Sequence, residues 1–577
     1  MARLARRPHR EARHAPEPRR LIPVAGRPLD GGQPRPHHRL RPDRPRDRLE
    51  LTHWRNRQPA QQKDEAVTDT NPYTLLCERL GEIATLGSVG ALVAWDQETY
   101  MPSKGAPGRA KQAAALASLI HQKSTHRGLG ELIGECEALG LDESSPEAAN
   151  VARARRDFDK RTKLPESLVN EIAETQSRAQ HAWKSARKNS DFKAFQPWLE
   201  KMVALSRKKA ECFGVPEGGE LYDALIDEYE PDVRAAEIEA VFTPLRDRLT
   251  TLVARLLDKG TPPNEAPLRI EAAEAAQHAL GMEVIQALGF DTEAGRLDIT
   301  THPFCEGLAP GDTRLTTRYD TKFFAGALFG TMHECGHGLY EQGLPKIDSD
   351  GEPSATFGTP LAEAVSLGIH ESQSRMWENF LGRSREFWTW AKPVADRHFG
   401  QPMQAFSVDE VYRAVNRVER SFIRVEADEA TYNLHVMLRF ELERALISGD
   451  LAVADLPGVW NETFERFLGS KVDADRNGCL QDVHWSFGLF GYFPTYTLGN
   501  LYAAQFWEAI REKYPDLDER LAAGDFTPVL AWNREYIHRH GRRFGAAELC
   551  ERATGRPLSP DPLIKHLERK FIPIYDA

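Results

Sequence analysis

Residues 323–340 read Phe-Phe-Ala-Gly-Ala-Leu-Phe-Gly-Thr-Met-His-Glu-Cys-Gly-His-Gly-Leu-Tyr, and the reading of the whole chain turns on them. The pattern predicts a helix from Phe323 to Tyr340. On that helix His333 and His337 are four residues apart, so both imidazoles share a face and reach one metal ion. Glu334 lies beside them, placed to take a proton from water activated at such an ion. Cys335 falls on another side and reads as a small buried hydrophobe. A catalytic zinc site takes three protein ligands and keeps a fourth position open. The next long helix, read from Leu361 through Gln373, offers two carboxylates, Glu363 and Glu371, the latter 34 residues beyond His337. Spacing does not separate them. An HExxH pattern also arises by chance, so the rest of the chain must support it.

Working outward, the chain reads as helix after helix from about Thr70. Phe195, Trp198, Leu199, Met202 and Val203 recur at helical spacing, as do Ile238, Val241, Phe242, Leu245, Leu249, Leu252, Val253 and Leu256. Both are amphipathic helices that pack on a core, and Pro244 is expected to kink the second. The exception lies just before the histidine helix. Leu297–Thr300 and Arg314–Tyr319 are Thr-rich and β-branched and flank a Pro/Gly turn region, which predicts a small antiparallel hairpin or sheet over 296–319. No internal repeat and no linker divides the chain after residue 70. The expected architecture is mainly α, one large helical domain over 67–577.

Residues 1–66 differ in kind. Within the first 63 there are sixteen arginines and one lysine against six acids, a net of +11, while the whole 577-residue chain carries −10. The segment lacks apolar periodicity, so it reads as a disordered basic extension, with Val67 a candidate start of the chain. The remaining body carries −21, which repels phosphate backbones and argues against nucleic acid as a partner. No stretch of about 18 apolar residues appears, so no membrane-spanning helix is expected. Seven scattered cysteines without a CxxC pair favour a reducing, cytoplasmic setting. Asp473-Ala-Asp475-Arg-Asn477-Gly478 opens like a calcium loop, but its twelfth position is His484 rather than the bidentate glutamate such a loop requires. It reads as a turn. Glycine-rich nucleotide loops and a GxSxG elbow are absent from the sequence, and the Asn461 sequon has no sign of secretion beside it.

Several further blocks accompany the histidine motif, in order: Asp312-Thr-Arg314-Leu-Thr316, His370-Glu371-Ser372-Gln373, Ile423-Arg424-Val-Glu-Ala427-Asp428, and Gly478-Cys-Leu-Gln481-Asp482-Val-His484-Trp485. With Leu92–Asp96 and Met101-Pro102 near the start, they make residues 70–577 resemble the carboxypeptidase Taq family of HExxH metallocarboxypeptidases. The loop Ile347–Ala355 is longer than that family's usual connection, and its polar, Gly/Pro-rich composition suits a surface excursion. The resemblance implies a two-lobed helical fold like neurolysin and the angiotensin-converting enzymes, with the metal deep in a groove. It makes Glu371 the third ligand, and it implies one zinc or cobalt ion, a homodimer, and broad release of C-terminal residues with proline disfavoured. In that chemistry Glu334 is general base and acid, and His484 and Tyr492 are candidate donors to the oxyanion. An exopeptidase must also hold a free carboxylate, for which arginine is the best fork. Arg424 is the first choice and Arg314 the second, with Gln481 and Tyr496 as further substrate-binding candidates and Asp428 expected to orient Arg424. An endo-acting oligopeptidase would share the motif and the helices, and a scaffold with a decayed site would have lost a ligand.

Overall fold

The computed structural model describes residues 71–576; the basic extension and the candidate start at Val67 lie outside them. Helices make up most of the described chain, and one small three-stranded sheet interrupts them. The helix Phe192–Phe213 buries Phe195, Leu199, Met202 and Val203, and Asp191 caps it by accepting from the Ala194 amide. The helix Ala235–Lys259 buries Ile238, Phe242, Leu245, Leu249, Leu252, Val253 and Leu256 and runs through Pro244 without a break. Each such side chain contributes roughly 1.5–3 kcal/mol on burial, which stabilises helices whose individual propensities are modest. These faces belong to one continuous core that extends from Ala179 to Tyr575. A satellite cluster, with Leu76, Leu80, Leu129, Ile133 and Val151, lies under the first helices.

The sheet consists of β1 (Gly295–Ile299), β2 (Cys305–Ala309) and β3 (Asp312–Thr317), in the order β1-β3-β2. The two strands read from the sequence pair with each other in parallel, Leu297 opposite Leu315, and not as the two arms of a hairpin. The hairpin is β2 with β3, closed by a turn in which Gly311 takes a φ of +73°. β2 (Cys-Glu-Gly-Leu-Ala) lacks the β-branched residues that betray a strand, so only its neighbours were legible.

A second departure falls between the two presumed metal helices. Leu361 to Gln373 is not one helix. Pro360–Ala362 is a single 3-10 turn, Glu363 is extended, and a new helix starts at Leu367 with Ser366 as its cap, the hydroxyl accepting from the Ile369 amide. The Ile347–Ala355 excursion is exposed and closed by a bridge between Ile347 and Pro353. Asp473 accepts from the Asn477 side chain within an exposed turn, in keeping with the turn reading.

Candidate metal centre

The histidine helix spans Phe324–Gly343 and is buried on nearly every side. Its glycines let other backbones touch it. A Cβ on Gly336 would stand 2.5 Å from the Gln373 carbonyl oxygen, and one on Gly338 would stand 2.8 Å from the Leu315 side chain of β3. The helix is thereby wedged between the sheet and the helix Leu367–Arg375 that carries Glu371. A third helix, Pro494–Lys513, approaches Glu371 so closely that a Cβ on Gly499 would lie 2.6 Å from it. Those approaches bound the space open to the Glu371 side chain.

The result is a triangle of ligand atoms. His333 Nε2 and His337 Nε2 stand 3.6 and 3.5 Å from Glu371 Oε2, and one ligand atom from each residue falls within 4.8 Å of the others. Ligands about 2.1 Å from a tetrahedral ion lie about 3.4 Å apart, so this donor set fits a first-row divalent ion. The far ring nitrogens are held as such a site requires. His333 Nδ1 is 3.0 Å from Glu378 Oε2, and His337 Nδ1 donates to the His370 carbonyl at 3.0 Å, leaving each Nε2 lone pair directed at the triangle. Glu363 is elsewhere: its carboxylate pairs with Arg542 at 2.8 Å and its side chain is 49% exposed. Cys335 is buried and outside the cluster, and burial pushes its thiol up.

Electrostatics agree with the geometry. Burial would raise the Glu371 carboxyl, but Arg375 and the two imidazoles overcome it and hold it well below the usual carboxylate range. Arg375 Nε donates to Glu371 at 2.7 Å and Ser374 Oγ donates at 2.9 Å. Burial dominates at His337, lowering it to about 4, so the ring is neutral. Burial pushes Glu334 up to about 7, close to where a proton shuttle works best. Arg375 and Glu378 were not singled out from the sequence. Arg375 stands four residues after Glu371, a helical neighbour that spacing alone could have flagged. Glu378 lies in a π-helical stretch, Met376–Leu381, whose widened turn shifts the register and carries no sequence signature.

A second cluster lies beside the first. Arg424 is buried; its Nε and Nη2 donate to Asp482 Oδ1 at 3.1 and 2.9 Å, and Nη1 donates to the Tyr432 hydroxyl at 2.8 Å. Arg439, fully buried, donates to the other oxygen of Asp482 at 2.7 Å. Arg424 thus takes its partner from Asp482 and not from Asp428, because Arg424–Glu426 is one 3-10 turn and Asp428 is spent on the amides of Glu419, Ala430 and Thr431. Tyr432 joins the clusters, since Arg375 packs 4.3 Å from its ring. Gln481 accepts from the Arg424 amide at 2.8 Å and donates to Phe422 and Asn477 carbonyls, so all its polar atoms support this loop. His484 packs against Tyr492, the rings tilted at 55° with centroids 5.5 Å apart, and its Nε2 is 3.3 Å from the Tyr496 hydroxyl. Burial, with Arg424 and Arg439 close by, lowers His484 to about 3, so its ring is neutral. Arg314 on β3 forks onto Asp312, both bonds 2.8 Å, and lies 4.3 Å over the Trp95 ring.

The likenesses of the chain point the same way. The sequence profile of the family described as Carboxypeptidase Taq (M32) metallopeptidase matches residues 76–571. The chain is 45% identical over 518 residues to Thermostable carboxypeptidase 1 of Thermus thermophilus, covering 88% of this chain and 100% of that protein. It is 38% identical over 499 residues to Carboxypeptidase 1 of Bacillus subtilis, covering 86% and 97%. The solved M32 carboxypeptidase from Deinococcus radiodurans R1 is 41% identical with a TM-score of 0.83, covering 88% of this chain and all of that one. A profile match over most of the chain, with relatives aligned from end to end, leaves one assignment: the chain belongs to the carboxypeptidase Taq (M32) family of metallopeptidases and is a metallocarboxypeptidase.

Proposed function

We propose that the enzyme releases C-terminal amino acids from peptides with broad specificity, using one zinc ion, with cobalt as a substitute, held by His333, His337 and Glu371. The observation that carries this reading is the triangle of Nε2, Nε2 and Oε2 atoms, 3.5–3.6 Å from histidine to carboxylate, with Glu334 on the same helix. The ion, when bound, acidifies water and polarises the scissile carbonyl. Glu334 takes the proton of the attacking water and returns it to the leaving amine, a double duty that suits a buried carboxyl near neutrality. His484 and Tyr492 donate to the oxygen that gains charge in the transition state.

Arg424 holds the terminal carboxylate. Three of its five N–H groups serve Asp482 and Tyr432, which leaves two for a substrate. Arg314 is the alternative anchor, and the bidentate pairing with Asp312 weighs against it. Gln481 acts by supporting Arg424, and Tyr496 by packing 4.8 Å from the same guanidinium. A C-terminal proline is disfavoured, as the family resemblance implies, and the ring and missing N–H of its tertiary amide are the physical reason. The catalytic domain spans 67–577, follows a dispensable basic extension over 1–66, and works as a cytoplasmic homodimer. The seven cysteines are all free, and among the described residues no helix is long and apolar enough to cross a membrane.

The test is a pair of peptides, one with a free C-terminus and one amidated, incubated with zinc- or cobalt-loaded enzyme. Stepwise loss of residues from the free acid alone is expected. Equal cleavage of both, or internal cleavage, would favour an endo-acting oligopeptidase.

A further inference from the structure

The helix that carries Glu371 runs nine residues, Leu367–Arg375, before widening into the π-helical stretch Met376–Leu381, and its N-terminal end is held by its neighbours. Its first amides are satisfied from outside. Ser366 Oγ accepts from Ile369, the Tyr229 carbonyl accepts from Leu367 at 3.0 Å, and the Glu230 carboxylate accepts from Gly368. Glu230 is completely buried, far from Leu367 in sequence, and sits in the turn after the short helix Asp223–Ile226. The approach is tight: a Cβ on Gly368 would stand 2.5 Å from Glu230 Oε1, so glycine is what lets the carboxyl reach the helix end. Burial pushes the Glu230 carboxyl up to about 8, with the Gly368 amide and Ser366 opposing it. A buried acidic side chain costs stability unless its hydrogen bonds offset the lost hydration, and here Oε1 takes the Gly368 amide while Oε2 is buried without a hydrogen-bond partner among the described residues. Its contacts are with the start of the ligand helix.

We propose that Glu230 is a positioning residue for the metal site: through its hydrogen bond to the Gly368 amide it holds the ligand helix in the one place that puts Glu371 opposite His333 and His337. This rests on Glu371 being the third ligand. The hydrogen bond acts on the helix end one turn before Glu371, whereas the Gly499 and Gly336 contacts touch the helix further on, at Glu371 and at Gln373 and Ser374, and leave its first turn to Glu230 and its neighbours. Loss of the acceptor frees the first turn, so the carboxylate ligand is offered in several positions instead of one.

The experiment measures zinc affinity of the full chain by competition with a chromophoric chelator, beside circular dichroism and thermal unfolding of the metal-free protein. Glu230→Ala is expected to bind zinc about 10- to 100-fold more weakly, the range seen when outer groups that orient ligands are removed. Glu230→Gln keeps an acceptor of the same reach and is expected to stay within about threefold of the parent. Gly368→Ala improves helix propensity but drives a methyl group into the carboxyl, and it is expected to weaken zinc like Glu230→Ala. A folded Glu230→Ala or Gly368→Ala protein with parental zinc affinity overturns the proposal, as does a Glu230→Gln protein as weak as Glu230→Ala. If Glu230→Ala does not fold, the Gly368→Ala and Glu230→Gln pair decides. Glu371→Ala is the control that separates the two levels: if it too keeps parental zinc affinity, the ligand assignment itself is wrong.

Discussion

Two buried ionic clusters meet at Tyr432, and they are unbalanced in opposite senses. Around the metal position the carboxylates of Glu371 and Glu378 pair with the guanidiniums of Arg375 and Arg383, and Glu334, a carboxyl at about 7, adds negative charge that none of these guanidiniums meets. On the other side Arg424 and Arg439 share the single carboxylate of Asp482, a surplus of positive charge. Isolated buried charge is costly, so each surplus is best relieved by something the chain itself does not supply. The first suits a divalent cation. The second suits the terminal carboxylate of a peptide. On the function proposed above, the distance between the two charges would set which bond from the end is cut.

The comparison can be broken at four points. The largest effect is expected from Glu334→Gln, which leaves both clusters assembled but cannot accept a proton: kcat should fall by about 10²–10⁴, with zinc retained in elemental analysis. Near-parental turnover would remove Glu334 from the chemistry. Next comes Asp482→Asn, which leaves two guanidiniums buried with no anion, at a cost of about 3–5 kcal/mol in urea unfolding at neutral pH. Arg424 and Arg439 hold the Asp482 carboxyl well below its ordinary range despite burial. Its contribution is therefore present above about pH 4, the unfolded value, and lost as pH falls below it. Acid should narrow the gap between parent and Asp482→Asn, and a gap that stays unchanged or widens from pH 7 toward pH 2 contradicts the charge assignment.

Arg424→Ala tests the anion side directly. Losing a desolvated fork costs about 2–5 kcal/mol, so kcat/KM on free-acid peptides should drop about 30- to 5,000-fold, with metal content unchanged and a smaller preference over amidated peptides. Full retention of that preference would transfer the role to Arg314. The smallest effect is expected from starting the chain at Val67: melting temperature and kcat/KM should match the full chain within error, because the sequence of residues 1–63 carries no apolar periodicity that would build a core. A drop of several degrees would show that the basic extension docks on the acidic body.

The parts that were legible share a property: each depends on residues close in the chain. Two histidines four apart on one helix must share a face, whatever surrounds them. Apolar residues at helical spacing, Ile238 to Leu256 among them, must find a core. The third candidate ligand is different, since only the family resemblance chose Glu371. Glu363 and Glu371 looked alike by spacing, and a cap at Ser366 broke the helix between them, sending Glu363 out to Arg542 and Glu371 in to the histidines. The sheet shows the same limit, since β1 and β3 were both visible as strands and their parallel pairing was not. Glu378, Asp482 and Glu230 were invisible as participants because their partners lie 45, 58 and 138 residues away.

Composition and local periodicity were thus enough to predict a mostly helical body, and the HExxH spacing enough to predict a helix with two histidines on one face and a glutamate beside them. Which carboxylate completes the site, which acid steadies which arginine, and what holds the ligand helix in place were decided only by tertiary packing. The physical reason is range. Helix geometry is set within four residues, whereas a buried charge is stabilised by whichever opposite charge or donor the fold brings within about 3 Å, and close approaches at Gly336, Gly368 and Gly499 determine which one that is.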